Sequence, residues 1–184
     1  MFEFVFYTLF EKSYTTYFEF ASLFLLIFFC IDGYKLIFYD SLTKLLNRRA
    51  FDKAIITKND IICLIGVDCF KNINEKYGID AGDFVLKKLA SVLKDNYKQI
   101  YRFGGDEFII IFNNIEFKDC ILELDNIRKV ISNYDFSFGK NKIKLTISAG
   151  LSQVFDDKFS ALKKANEYLY TAKSNGRNRV IYGK

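Results

Sequence analysis

For most of this chain the sequence predicts an α+β domain, in the order strand, helices, hairpin, helix, strand, helix, short strand (βααββαβ), with helices packed on one apolar face of an antiparallel-containing sheet. Three observations predict it. Residues 61–67 are apolar almost throughout, the pattern of a central strand. Residues 99–103 and 107–112 flank Gly104-Gly105 and read as a β-hairpin, with both central glycines expected at positive φ. Residues 81–97, residues 118–132 and the stretch holding Leu162, Ala165, Leu169 and Ala172 repeat apolar side chains at helical spacing.

The first 39 residues are a different material. Residues 21–31 are apolar except for Ser22, and Tyr34, Leu36, Ile37, Phe38 and Tyr39 follow, but Glu19, Asp32 and Lys35 interrupt. A spanning helix needs about 20 mainly apolar residues. Three placements suit the segment: a short or tilted membrane helix continuing as a stalk, an aromatic-rich interfacial helix, or a helix packed on the domain or on a partner. Met1-Phe2-Glu3-Phe4 lacks the basic start of a signal peptide. The domains expected are thus residues 1–39, a candidate membrane or partner contact, and residues 40–184.

Composition narrows the chemistry. The 184 residues contain 21 Phe and 12 Tyr but no His, Trp or Pro. Without histidine there are no histidine metal ligands, no Cys-His dyad and no Ser-His-Asp triad. Cys30, Cys63, Cys69 and Cys120 show no Cys-x-x-Cys spacing and are expected as small buried hydrophobes in a reducing compartment. A net charge of +5 suits a polyanion or an anionic membrane surface. No arginine-rich stripe with interleaved aromatics is present, so nucleic acid is not an expected partner.

After residue 39, Asp40 is placed to cap a helix from Leu42, with Leu42, Leu45 and Leu46 inward and Asn47-Arg48-Arg49 as a basic end, either solvated or facing phosphate. Asp68-Cys69-Phe70-Lys71-Asn72-Ile73-Asn74 and Asp80-Ala81-Gly82-Asp83 follow the first strand. Residues 134–141 read as a loop, and alternation from Ile143 to Leu151 as a half-buried strand. Gly176 is a candidate helix terminator.

The segment Arg102-Phe103-Gly104-Gly105-Asp106-Glu107-Phe108, with the blocks at 40–49, 68–83 and 172–180 in the same order, resembles the GGDEF family of diguanylate cyclase domains, whose palm fold is similar to that of class III nucleotide cyclases and polymerases. The resemblance spans about 140 residues. It implies an enzyme that joins two GTP molecules into cyclic di-GMP with release of two pyrophosphates, each GTP held by one subunit of an antiparallel homodimer, with Mg²⁺ or Mn²⁺. It implies that Asn74 and Asp83 read guanine, that Gly104 and Gly105 let phosphate approach the backbone, and that Lys71, Lys173 and Arg177 meet phosphate. Asp106 and the backbone of Val67 resemble metal ligands, and Glu107 resembles the residue beside the reacting 3′-hydroxyl. Arg102 is a candidate for positioning phosphate or pairing with these acids.

Two departures stand out. Where the family carries its first metal aspartate, two residues before Asp68, this chain has Gly66. Asp68 is the candidate substitute, but residues two apart on a strand are separated by about 6.6 Å, far for a carboxylate that must hold Mg²⁺ at roughly 2.1 Å. Turnover is therefore in doubt, and a catalytically silent GTP-binding or protein-interaction module is the alternative. The family's inhibitory product site, an arginine and an aspartate upstream of the hairpin, falls on Asp95 and Lys98 with both charges reversed, so no such site is expected. The implied location is a cytoplasmic domain at the inner face of the cell membrane.

Overall fold

The computed structural model describes the backbone of residues 2–183 and the side chains of residues 16–183; part of the segment 1–39 thus lies outside the described residues. The chain divides into two units, Met1–Phe38 and Tyr39–Lys184. The first is a single helix, α1 (Phe2–Phe38). Within it Thr16–Phe38, 23 residues with a mean hydropathy of 1.9, is long and apolar enough to cross a membrane. None of that stretch is buried, and Phe18, Phe24 and Phe29 are each about two-thirds exposed or more.

The second unit is an α+β domain around a six-stranded mixed sheet in the order β1-β3-β4-β2-β7-β8. Its strands are β1 (Leu46–Asn47), β2 (Ile61–Val67), β3 (Ile100–Arg102), β4 (Glu107–Phe112), β7 (Ile147–Gln153) and β8 (Val180–Gly183). The helices are α2 (Arg48–Lys53), α3 (Phe70–Tyr77), α4 (Ile79–Asn96), α5 (Phe117–Asn133) and α6 (Lys158–Ser174). β2 runs antiparallel to both β4 and β7, while β8 lies parallel to β7 and β1 parallel to β3.

Helices cover both faces of the sheet, not the one face expected. Period-2 alternation sends Cys63, Ile65 and Val67 of β2 toward α4 and α5, where they meet Val85, Leu89, Leu124 and Ile127. Ile62 and Leu64 point the other way, into a second core with Phe51, Ala161, Ala165 and Leu169. A strand buried on both faces reads as a continuous apolar run, which is why β2 shows no alternation. β7 is buried on both faces too, because Ser148, Gly150 and Ser152 are small enough to sit beneath a helix.

Three local expectations change. Asp40 does not cap a helix: its Oδ1 accepts from the N–H and hydroxyl of Thr43, closing a turn over residues 41–43, and Asn47 caps α2 instead. Residues 134–141 are not all loop; β5 (Phe136–Phe138) pairs with β6 (Asn141–Ile143), and Phe138 packs at a tilt on Phe84 of α4. The hairpin between β3 and β4 turns through residues 103–106, and neither Gly104 nor Gly105 has a positive φ. A longer turn spreads the reversal over more dihedrals, so the left-handed pair of a two-residue turn is not needed.

Cys63 and Cys120 are buried, and desolvation pushes both thiols up, Cys120 to about 12. Cys30 and Cys69 are exposed, contrary to expectation, and all four are free.

Candidate nucleotide site

The central strand ends where the candidate residues gather. Gly66 is in register with Glu107 on β4 and with Ser148 on β7, and the N–H of Val67 donates to the Asp106 carbonyl at 3.1 Å. Opposed residues of an antiparallel pair share a face. Glu107 and Gly66 therefore both look toward α6, on the same side of the sheet as Ile62 and Leu64. There a cavity of about 480 Å³ is lined by Glu107, Asn166, Tyr170, Thr171 and Lys173. A larger concavity, about 940 Å³, lies at the opposite end of β2 beside Asp60, Glu116 and Gln153, and holds none of the predicted site residues.

Lys173 is the side chain nearest the open position at Gly66. A Cβ built on Gly66 would lie 2.6 Å from the lysine Nζ and 2.9 Å from its Cε, so the ammonium fills the space a side chain would take. Arg177 follows beyond the end of α6, exposed and in the left-handed conformation, with its N–H on the Ala172 carbonyl. Gly176, at φ 107°, makes the turn that ends the helix, as expected of a glycine there.

Asp68 is not free to reach across. Its Oδ1 accepts from the Ser148 hydroxyl at 2.7 Å, and its Oδ2 accepts from the Thr146 hydroxyl at 2.7 Å and the Asn178 N–H at 3.0 Å. The residue is buried. It joins the end of β2, the approach to β7 and the loop after α6, which is the loop that carries Arg177. Sequence reasoning missed this role. A signal for it was present in Thr146 and Ser148, hydroxyl residues two apart at the start of a strand whose buried positions are otherwise apolar or small.

On the other side of the β2 terminus, Cys69 takes the left-handed conformation and α3 begins. Lys71, in its first turn, is exposed and pairs with Glu75 at 3.5 Å, a surface contact worth at most about 1 kcal/mol. Asn74 points back at α4: a Cβ on Gly82 would overlap its Oδ1. That oxygen is buried and has no hydrogen-bond partner. Asp83 follows Gly82 in α4 and is half-buried, one position along the helix from the residue that Asn74 faces.

Arg102 lies outside this set. Its Nη1 donates to Asp40 Oδ1 at 2.9 Å and its Nη2 to the Gly105 carbonyl at 2.7 Å, so it ties the hairpin turn to the start of the domain. Burial pushes the Asp40 carboxyl up, but the Thr43 hydroxyl and N–H and the Arg102 guanidinium outweigh it and leave the carboxyl below its ordinary value. Gly104 and Gly105 are exposed and open: a Cβ on Gly105 would meet nothing within 4 Å.

A divalent ion of the Mg²⁺ type wants several oxygen ligands in a near-octahedral shell. Among the described residues no three His, Cys, Asp or Glu side chains form a group that could hold a metal ion. The Asp68 oxygens are already engaged, and an ammonium stands at Gly66.

Residues 37–179 match the family model described as diguanylate cyclase, GGDEF domain. The chain is 39% identical over 129 residues to diguanylate cyclase A of Treponema denticola, covering 67% of this chain and 35% of that protein. It is 32% identical over 164 residues to an uncharacterized membrane protein of Staphylococcus aureus strain USA300, covering 78% of this chain and 45% of that one. The chain therefore spans less than half the length of these curated relatives. Among solved structures, the coiled coil and GGDEF domain of DgcB from Caulobacter crescentus, in complex with c-di-GMP, superposes with a TM-score of 0.84 at 25% identity, covering 90% of this chain and 95% of that one. With a six-stranded sheet bearing Gly104-Gly105-Asp106-Glu107-Phe108 on its central hairpin and a family match over most of its length, this chain belongs to the GGDEF family.

Proposed function

We propose that the domain binds GTP through Asn74, Asp83, the Gly104-Gly105 turn, Lys173 and Arg177, and that it makes cyclic di-GMP poorly or not at all. The observation that carries this is the Asn74 Oδ1, buried without a donor against Gly82, the residue before Asp83 in α4. An orphaned buried acceptor calls for a missing partner. Guanine brings donors at N1 and N2 to an acceptor pair made of an amide and a carboxylate, whereas adenine lacks that donor edge.

The doubt about turnover rests on Gly66. Taken as the position of the family's metal aspartate, it removes one of the carboxylates that activate the attacking hydroxyl. Asp106 and Glu107 remain, with Glu107 assigned to the 3′-hydroxyl. Productive chemistry in this family would further need a second subunit, since each site holds one GTP. We assign α1 to anchoring at the inner face of a membrane: 23 residues of Thr16–Phe38, at 1.5 Å each, reach about 34 Å, against a hydrocarbon core of about 30 Å.

Incubating the full chain with GTP and Mg²⁺ or Mn²⁺, then quantifying bound nucleotide and cyclic di-GMP by mass spectrometry, tests the reading. Bound GTP preferred over ATP, with little or no product, is the expected result. Abundant cyclic di-GMP that disappears in Glu107→Ala would instead make the chain a working cyclase. Failure to retain any guanine nucleotide would leave a protein-interaction module.

Gly82→Ala separates base recognition from folding. Its methyl overlaps Asn74 Oδ1 and lies 3.1 Å from Phe70 Cζ, so the amide has to swing out of the junction. A short side chain can do this without unfolding the helices. The expected outcome is a GTP affinity lowered by about tenfold or more, read by calorimetry, with the unfolding temperature shifted by only a few degrees.

A further inference from the structure

The placement of Lys173 carries the reading of a GTP site one step further. Gly66 sits in mid-sheet between Glu107 and Ser148, facing α6, and the lysine ammonium occupies the volume its missing side chain leaves. Leu169 of the same helix closes the other side, with its Cδ2 3.4 Å from the built Cβ. The lysine is half-buried and lines the cavity with Glu107. Among the described residues its ammonium has no hydrogen-bond or ion-pair partner. A partly desolvated cation without an anion is a standing demand for one.

Two cations compete for such a place. A divalent ion at the end of β2 would lie within a few ångströms of the ammonium, where like charges repel, and it would find too few free carboxylates to offset that repulsion. A phosphate chain has the opposite preference: its oxygens accept charge-assisted hydrogen bonds from an ammonium as readily as they coordinate a metal. With glycine at 66 the lysine tip rests directly against the strand, whereas a longer residue there would make it shift.

We propose that Lys173 serves as the resident cation of the phosphate site, so that this domain binds the polyphosphate of a nucleoside triphosphate without a divalent ion. The inference rests on the GTP reading above. An ammonium neutralises phosphate charge but offers no site for activating a hydroxyl as a metal does, so binding survives where chemistry is weak.

Isothermal titration of the full chain in detergent with GTP, in excess EDTA and in excess Mg²⁺, is the test. The wild-type dissociation constants should agree within about threefold, and Lys173→Met should weaken binding in EDTA by about tenfold or more, while Lys173→Arg keeps most of it. Gly66→Asp, whose carboxylate would pair with the ammonium, should lose affinity in EDTA and regain it in Mg²⁺. Wild-type binding that appears only in Mg²⁺, or a Lys173→Met variant that binds as wild type in EDTA, would overturn the proposal and leave the GTP site standing. No GTP binding under either condition would overturn both.

Discussion

Gly150→Ala is expected to leave little folded protein. Its Cβ would overlap the carbonyl oxygen of Ala165 and the backbone nitrogen of Leu169, and would come 3.0 Å from the Tyr168 carbonyl carbon. These are main-chain atoms of α6, so no rotamer change relieves them. The helix would have to lift from β7, opening the layer built by Ala161, Ala165 and Leu169 against Ile62 and Leu64. Overpacking of a close-packed core costs about 1–3 kcal/mol even when side chains can adjust, and with rigid backbone opposite we expect about 4 kcal/mol or more. At about 2–4 °C per kcal/mol for a domain of this size, the melting temperature should fall by roughly 10 °C or more, or soluble expression should be lost. Gly183→Ala is the control. Its Cβ meets only the Tyr168 hydroxyl and ring, the far end of a side chain that can swing aside, so its melting temperature should stay within a few degrees of wild type.

Asp68→Ala is expected to damage stability and nucleotide binding together. Three donors, the hydroxyls of Thr146 and Ser148 and the N–H of Asn178, lose their acceptor at a buried position. Each stranded buried group costs about 1–3 kcal/mol, and water can reach only part of the space, so a total of about 3–5 kcal/mol is expected. The loop of residues 175–179, which carries Arg177, would also lose its tether to the sheet through the Asn178 N–H. Chemical denaturation and GTP titration measure the two effects. Asp68→Asn separates them, since its amide oxygen can still accept from part of the set: it should recover more stability than the alanine. If Asp68→Ala melts as wild type, the carboxylate is not the anchor described above, and its sequence reading as a metal ligand regains ground.

Much of the architecture was legible in the chain itself. β2 and β4 appeared with their observed bounds because a fully apolar run and a glycine-bounded apolar run are unambiguous signals, and α4, α5 and α6 followed from helical periodicity. The elements that did not appear, β1, α2, β5 and β6, are only two to six residues long. Elements that short draw their stability from neighbours rather than from propensity. The turn at Gly104-Gly105 was located correctly but assigned the wrong backbone, since a glycine pair fits both a two-residue turn and a longer one. Similarly, Asp40 was recognised as a capping residue, while the object it closes proved to be a turn held by Arg102 from 62 positions away.

The sequence by itself determined the family of this protein and the residue types available to it: a histidine-free chain with Gly104-Gly105-Asp106-Glu107-Phe108, an Asn74 and Asp83 pair, and a glycine at position 66. These are facts of identity and spacing, and neither needs a third dimension. Only the tertiary structure decided what fills the space at Gly66, what the Asp68 oxygens are bound to, and that Asn74 keeps an unanswered acceptor against Gly82. The first two join residues far apart in the chain, Gly66 with Lys173 and Asp68 with Thr146 and Asn178; the third depends on how two successive helices meet. Such contacts depend on strand register and helix approach, which the packing of the whole domain sets and no local window of sequence contains.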